Sequence, residues 1–534
     1  FDPYEFFDAK AIERRMLNNI PLSSFSDWPV TESYSGSVKA LATQEKVVSR
    51  WFNASCVIAT AEQIELISNL PFVRDIQLAN PMQLQVSGQS FNNAASTSSW
   101  DGSMSAHELK FLDAQIRRMK GEEFIAKNID GKGVRIAVFD IGFESWKTNP
   151  AFEHLRARNQ ILKTYDFVKK RENVDGYHTH GTFVLSCIAG VVDGKNIGLA
   201  TGAEFILART ETWTEFYAEE ENWLAAAEWA DKEGAHIINS SLGYTKHRYF
   251  REQMTGNYTT VTKAANMAAS KGILVVNAAG NDGDNSWKII GAPADSDSVL
   301  SIGGLNPKTG YHTNFSSFGP TRNFHLKPNV SAYGHVMGSS PSGMEETQGT
   351  SFSSPLVAGF AACAKQSRPG YKTMALFKEI EKSGDLFPYF DYAHGYGVPQ
   401  ASYFIDPKRL PKEKYFKLVN DQKKIFIDLN DSSQVNIDVM YDIEKEELFE
   451  EWPPYVFYHI ENDKGYLDKY FLVDPHDYMR NLVDLYETPE SIEMMIENGS
   501  IGDSGPMYIN KSDYDRPFTL RVFYKGQFEE IKIK

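Results

Sequence analysis

Residues 131–143 read GKGVRIAVFDIGF. Val134–Phe139 carry five apolar side chains in six positions, with glycines on either side. A run that short, β-branched and bounded by turn formers has the signature of a strand buried on both faces. Asp140 stands at its carboxyl end, where open α/β sheets place reactive groups. The same alternation continues as far as residue 367. EFILART (204–210), AHIINSSLG (235–243), ILVVNAAGN (273–281) and DSVLSIGGL (297–305) read as strands or strands with their loops. AHELKFLDAQIRRMKGEEFIAKN (106–128), WLAAAEWADKEG (223–234), VTKAANMAASKG (261–272) and SFSSPLVAGFAACAKQS (351–367) read as helices. This order predicts an α/β fold with a mostly parallel sheet covered by helices on both faces.

The flanks differ from that centre. Residues 1–35 are aromatic and turn-rich, and no element is assigned to them. WFNASCVIA (51–59) reads as a strand, Thr60 as a helix cap paired with Gln63, EQIELISNL (62–70) as the helix, and FVRDIQLA (72–79) as a second strand. The polar stretch 88–105 reads as an exposed linker. Beyond residue 405, YFKLV, KIFIDLN, QVNIDVMYDI, PYVFYHI, KYFLVD and FTLRVFYK are separated by Asp/Asn/Gly/Pro turns, predicting an all-β, sandwich-like domain. The predicted boundaries are 1–88 for an N-terminal region, 89–105 for a linker, 106–405 for the α/β domain and 411–534 for the β domain.

The 534 residues hold 55 basic and 70 acidic side chains, a formal net charge of −15. Residues 411–534 account for 26 acidic and 15 basic of these, so −11 of the total belongs to the β domain. That balance argues against nucleic acid or an anionic membrane face as partner. Cys56, Cys187 and Cys363 sit in apolar runs and read as small buried hydrophobes, not a disulfide framework or zinc site. No run of 18 apolar residues is present to read as a transmembrane helix. The start FDPYEFFDAK lacks a leader pattern, which is read as a leader already removed.

Four places combine reactive residues with predicted strand ends: Asp140 in IAVFDIGF, His180 in GYHTHGTFVLSCIAG, Asn281 in VVNAAGNDGDN and Ser351 in TQGTSFSSPLVAG. A serine hydroxyl needs a neighbouring base to become a nucleophile. Imidazole accepts and returns that proton near neutral pH, and a carboxylate on its other nitrogen fixes the tautomer. An amide donor aimed at the developing oxyanion completes the set. In sequence these residues lie 40, 101 and 70 positions apart, so only a fold can assemble them.

Together with SLG at 241–243, AAGN at 278–281, HGTFV at 180–184, FSSFGP at 315–320 and GTSFSSP at 349–355, in that family's order, the chain resembles the subtilisin-like serine proteases, the subtilases. The resemblance implies Ser351 as nucleophile, His180 as general base, Asp140 as its orienting carboxylate and Asn281 as oxyanion donor. It also implies Ser241, Leu242 and Gly243 opposite Ala278, Ala279 and Gly280 as walls of the first substrate pocket. Trp287, Lys288 and Ile289 are candidates for the pocket floor. His178 is a weaker candidate for the base. Asp282 and Asp284 would be calcium candidates, but no spaced oxygen-ligand pattern supports a site, and the chemistry requires no cofactor. Ile141, Phe183, Phe352 and Ser353 depart from the family pattern without removing a catalytic group.

The implied function is a serine endopeptidase acting on proteins or peptides, with the N-terminal region as its intramolecular inhibitor. The alternative is a catalytically silent peptide-binding or assembly protein on the same fold. The combination most resembles exported proteases of Bacteroidota, which implies a secreted or cell-envelope location and a surface partner for the β domain.

Overall fold

The computed structural model describes residues 1–78, 102–212, 219–246, 248–406, 414–429, 455–473 and 507–534. Seven strands form the central sheet: β3 (Arg135–Asp140), β4 (Ile161–Asp166), β5 (Glu204–Arg209), β6 (Ile237–Ser240), β7 (Leu274–Ala278), β8 (Val299–Leu305) and β9 (Val330–Tyr333). Their order is β9-β8-β7-β6-β3-β5-β4, every neighbour parallel. The chain winds to one side of β3 through β4 and β5, and to the other through β6 to β9. Winding therefore reverses around β3, and a crevice opens at the carboxyl ends there. Val134 and Ile136–Phe139 are almost wholly buried, as the apolar run requires.

Helices α6 (His180–Ala189) and α9 (Thr350–Ser367) cover one face, and α7 (Glu219–Lys232) and α8 (Thr260–Ser270) cover the other. The small residues of α9 let it run through the core beneath the crevice. A Cβ at Gly359 would stand 2.8 Å from the Ile188 carbonyl, so this glycine sets the close approach of α9 to α6. The stretch 106–128 forms two helices, Ala106–Arg117 and Gly121–Ala126, broken where Lys120 takes φ 50°.

In the N-terminal unit, strands β1 (Gln44–Ser49) and β2 (Ala54–Ile58) pair antiparallel, followed by a helix over Ala61–Ser68. The Thr60–Gln63 capping box is present as read from the sequence. Two readings need correction. Trp51–Asn53 belong to the turn of this hairpin, not to a strand. Residues 72–78 form no strand: they pair with neither β1 nor β2, and Ile76 and Leu78 face solvent. Residues 1–35, left unassigned above, contain α1 (Ala9–Asn18) and the start of a helix over Glu32–Leu41.

The unit docks on α7 and α8 through buried charges. Arg14 and Arg15 of α1 and Arg50 after β1 converge on Asp231 of α7, with Arg15 at 2.8 Å and Arg50 at 3.0 Å. Asp27 takes Arg15 at 2.9 Å and Lys271, which follows α8, at 2.9 Å. Glu228 of α7 accepts hydrogen bonds from the Ser49 hydroxyl and the backbone N–H groups of Arg50 and Trp51.

The C-terminal unit contains a three-stranded sheet over Phe416–Asn420, Lys424–Leu429 and Tyr508–Asn510, and a four-stranded sheet over Val456–Asn462, Leu467–Val473, Phe518–Tyr524 and Gln527–Ile533. The two share one apolar core, giving the sandwich-like arrangement. The predicted strand QVNIDVMYDI and most of the predicted linker lie outside the described residues.

Candidate active site

Asp140 ends β3 with its carboxylate buried. Its Oδ1 accepts the Ile141 N–H at 2.8 Å, so the backbone supplies a donor here without a hydroxyl side chain at Ile141. His180 opens α6, and two glycines bring it to Asp140. A Cβ at Gly181 would stand 2.3 Å from the Gly142 carbonyl, and one at Gly142 would stand 2.5 Å from the Gly176 carbonyl. That approach leaves His180 Nδ1 2.8 Å from Asp140 Oδ1 and 3.0 Å from Oδ2. Burial opposes a positive ring, but the charge of Asp140 and its hydrogen bond outweigh it, and the His180 pKa is raised above its usual value. The ring also lies 5.2 Å from the Phe352 ring, centroid to centroid. His178 takes a different place: its Nδ1 accepts the His180 backbone N–H at 3.0 Å, bracing the start of α6.

Ser351 lies in the first turn of α9, after Gly349 at φ 143°. Its hydroxyl donates to the Ser241 carbonyl at 3.0 Å. Asn281 is held by its oxygen: Oδ1 accepts the Thr350 N–H and the Thr350 hydroxyl, each at 2.9 Å. Its donor Nδ2 is left beside the Gly349–Ser351 turn, 3.5 Å from where a Gly349 Cβ would stand.

Ser241–Gly243 and Ala278–Gly280 lie side by side at the carboxyl ends of β6 and β7. Asn277 Nδ2 donates to the Leu242 carbonyl at 2.9 Å and to the Ala278 carbonyl at 2.8 Å, tying the two segments together. Gly280 at φ 113° has no room for a side chain, since a Cβ would stand 2.7 Å from the Ser317 hydroxyl. Residues 289–292 adjoin both segments. Tyr244 and Ala292 exchange backbone hydrogen bonds of 2.9 and 3.1 Å, and the Gly291 N–H reaches the Ala279 carbonyl at 3.4 Å. Of the floor candidates, Ile289 is the first residue of this segment, Trp287 is buried in an apolar cluster, and Lys288 is exposed.

Several residues here were not singled out from sequence. Asn239, wholly buried in β6, donates to the Ser241 hydroxyl at 3.1 Å and accepts from the Ser354 hydroxyl at 2.9 Å. It links the Ser241–Gly243 segment to the helix that carries Ser351. The signal was polar residues inside apolar runs, Asn239 in IINSS and Asn277 in VVNAA, where a buried amide must have partners. Asp282 accepts from the Asn285 side chain at 2.6 Å and lies 3.8 Å from Lys246. Among the described residues, no group of three or more His, Cys, Asp or Glu could hold a metal ion. Among them, too, no helix is long and apolar enough to cross a membrane.

Comparison with known proteins agrees with this architecture. Residues 131–397 match the model of the Subtilase family, and residues 1–96 match the Peptidase S8 propeptide domain, Bacteroidota. The chain is 26% identical over 269 residues to Alkaline elastase YaB of Bacillus sp. (strain YaB), covering 50% of this chain and 64%, less than two thirds, of the elastase. It is also 26% identical to Subtilisin BL of Lederbergia lenta, covering 50% of this chain and 89% of that protein. The solved structure of Sphericase superposes with a TM-score of 0.42 at 24% identity, over 51% of this chain and 92% of its own. The propeptide match and the subtilisin relatives support a secreted or cell-envelope location. A subtilase core and a propeptide region on one chain give the assignment: this chain belongs to the subtilase family.

Proposed function

We propose that the protein is a serine endopeptidase held as a zymogen by its N-terminal region, with domain boundaries near residues 88, 105 and 405. The observation that carries this reading is the Asp140–His180 pair, at 2.8 Å, in the crevice that also holds Ser351 and Asn281. Rotation of Ser351 about χ1 releases its hydroxyl from the Ser241 carbonyl and presents it to His180 Nε2. That carbonyl is then open to the backbone N–H of an extended peptide, which adds as a strand between Ser241–Gly243 and Ala278–Gly280. His180 takes the serine proton as Ser351 Oγ attacks the scissile carbonyl carbon, and later returns it to the leaving amine. Asp140 holds the ring in the tautomer with the proton on Nδ1 and favours the imidazolium. The Asn281 amide and the Ser351 N–H receive the oxyanion.

A catalytically silent peptide binder is the second reading, and the Ser351–Ser241 hydrogen bond is the observation that favours it. Incubation with a diverse peptide mixture separates the two. The endopeptidase reading expects internal cuts that vanish in Ser351→Ala, and covalent labelling of Ser351 by a fluorophosphonate once residues 1–101 are released. Absence of both cuts and label from the released wild-type protein would establish the silent reading.

A further inference from the structure

The C-terminal β domain is joined to the substrate pocket by one loop. Residues 306–320, between β8 and β9, lie directly behind the pocket wall and floor. The Ser317 N–H donates to the Gly280 carbonyl at 2.9 Å, and the Ser317 hydroxyl accepts the Asp282 N–H at 3.2 Å. The Gly283 N–H reaches the Phe315 carbonyl at 2.8 Å. Phe318 exchanges backbone hydrogen bonds with the floor, its N–H to Lys288 at 2.9 Å and its carbonyl from Ile290 at 3.0 Å. Wall and floor thus hang on the same stretch of backbone.

The other side of that loop meets the β domain. The His312 ring stacks on Phe318 at 4.1 Å, and the His312 N–H donates to His394 Nε2 at 3.1 Å. His394 stands edge-on to Phe457 of the four-stranded sheet at 5.6 Å. Next to it, Tyr311 and Tyr455 pack at 4.4 Å, and the Tyr455 hydroxyl donates to the Thr309 carbonyl at 3.3 Å. Phe457 is anchored in turn against buried Tyr389 at 5.8 Å. The loop is therefore clasped, with hydrogen bonds to the pocket on one side and aromatic contacts to the β domain on the other.

We propose that the β domain is part of the specificity apparatus, with Tyr455 and Phe457 as positioning residues that fix the width of the first substrate pocket through loop 306–320. This rests on the proposed pocket between Ser241–Gly243 and Ala278–Gly280. A bulky side chain on the acyl side of the cleaved bond presses on these walls. A wall tied to a clasped loop resists that pressure and holds one width, whereas a wall on an unclasped loop yields. Hydrophobic pockets discriminate between side chains a methylene apart by about 10- to 200-fold, so a change in width registers in selectivity before it registers in chemistry.

The test uses the full chain carrying Tyr455→Phe, Phe457→Leu or Phe457→Ala, matured in the same way as wild type. Steady-state kcat and KM are measured on peptides that differ only in the residue before the cleaved bond, from alanine to phenylalanine. The labelling rate of Ser351 by a small fluorophosphonate is measured in parallel. The expected result is a change of about tenfold in the phenylalanine-to-alanine ratio of kcat/KM for Phe457→Ala, carried mainly by KM. Phe457→Leu restores most of it, Tyr455→Phe shows a smaller shift of the same sign, and labelling stays at the wild-type rate. An equal fall for every peptide, or an unchanged ratio, overturns the proposal. If Phe457→Ala does not fold, the two conservative variants decide, and an unchanged ratio in both refutes it. Failure of wild type itself to label would overturn the catalytic reading instead.

Discussion

Asp231→Asn tests how the N-terminal unit is held. The Asp231 carboxylate is wholly buried and receives Arg14, Arg15 and Arg50 together, with Arg15 at 2.8 Å and Arg50 at 3.0 Å. Burial already pushes the Arg14 pKa down to about 10, against the pull of Asp231, so these cations depend on the anion they surround. Removing one member of a buried ion pair costs about 3–5 kcal/mol. Asparagine keeps the volume and one acceptor oxygen, and Asp27 and Glu228 remain nearby, so the lower end, about 3 kcal/mol, is the expected loss. That corresponds to roughly 150-fold weaker binding of the unit. The cost falls on the docked state alone, because Asp231 is hydrated once the unit leaves. The assay is size-exclusion chromatography at nanomolar concentration on chains nicked within residues 79–101, with inhibition of peptide cleavage as a second readout. The nicked wild type stays together while Asp231→Asn separates, and the activity of the released enzyme is equal in both. A dissociation constant within about threefold of wild type would refute the reasoning. So would a double-mutant cycle with Arg15→Gln giving less than about 0.5 kcal/mol of coupling.

Asn281→Ala is expected to lower kcat by about 10²–10³ with little change in KM, in steady-state peptide kinetics, because its amide acts on the oxyanion and not on the bound substrate. Asp140→Asn is expected to cost about 10⁴ in kcat, since the ring then settles in the wrong tautomer. The pH profile follows from His180. The base works only when neutral and its pKa is raised, so kcat/KM falls as pH drops through a midpoint above the usual histidine value. That acid limb moves downward in Asp140→Asn; a wild-type limb below 6.5 would contradict the assigned pair. Asn239→Ala strands two buried hydroxyls, Ser241 and Ser354, and is expected to lower stability by about 1–3 kcal/mol in denaturant titration. It also lowers kcat more than Ser354→Ala does, because Asn239 bonds both Ser241 of the proposed pocket wall and Ser354 of the helix that carries Ser351.

Legibility from the sequence tracked how each contact is made. GVRIAVFDIGF exposed both the strand and its reactive end because full burial on two faces leaves an unbroken apolar run. Thr60 and Gln63 were readable because a capping box is local. α1 was missed for the opposite reason. Its buried face includes Arg14 and Arg15, whose shared partner Asp231 lies more than 200 residues away, so hydropathy periodicity marks that face as solvent-exposed. Residues 72–78 show the converse error, since β-prone composition makes no strand without a surface to bury its side chains against, and Ile76 and Leu78 are exposed. The four positions proposed as catalytic stood out through short motifs. The amides Asn239 and Asn277, which tie the flanking segments together, did not, because their role is defined by partners distant in sequence.

The polar character of the N-terminal interface fits a contact that must open. An apolar face of similar extent on α7 and α8 would hold the unit as well, but its release would leave an exposed hydrophobic patch on a secreted protein, a site for aggregation. Charged groups behave differently. When the unit departs, Asp231, Glu228 and Lys271 become ordinary hydrated side chains of two surface helices, and the three arginines leave with the unit. While docked, each charge has an opposite partner: Arg14, Arg15 and Arg50 with Asp231, and Lys271 with Asp27. A misplaced segment that did not supply all three cations would leave Asp231 buried without its full complement of partners, which is strongly unfavourable. The interface therefore selects for the correctly folded N-terminal unit. High ionic strength should weaken this selection only slightly in the docked state, since buried pairs are poorly screened. It should slow re-association after release, when the same charges face water. Stopped-flow inhibition kinetics across a salt series distinguishes the two. A salt effect confined to the association rate fits a buried ionic lock, whereas one confined to the dissociation rate would place the charges at a hydrated rim.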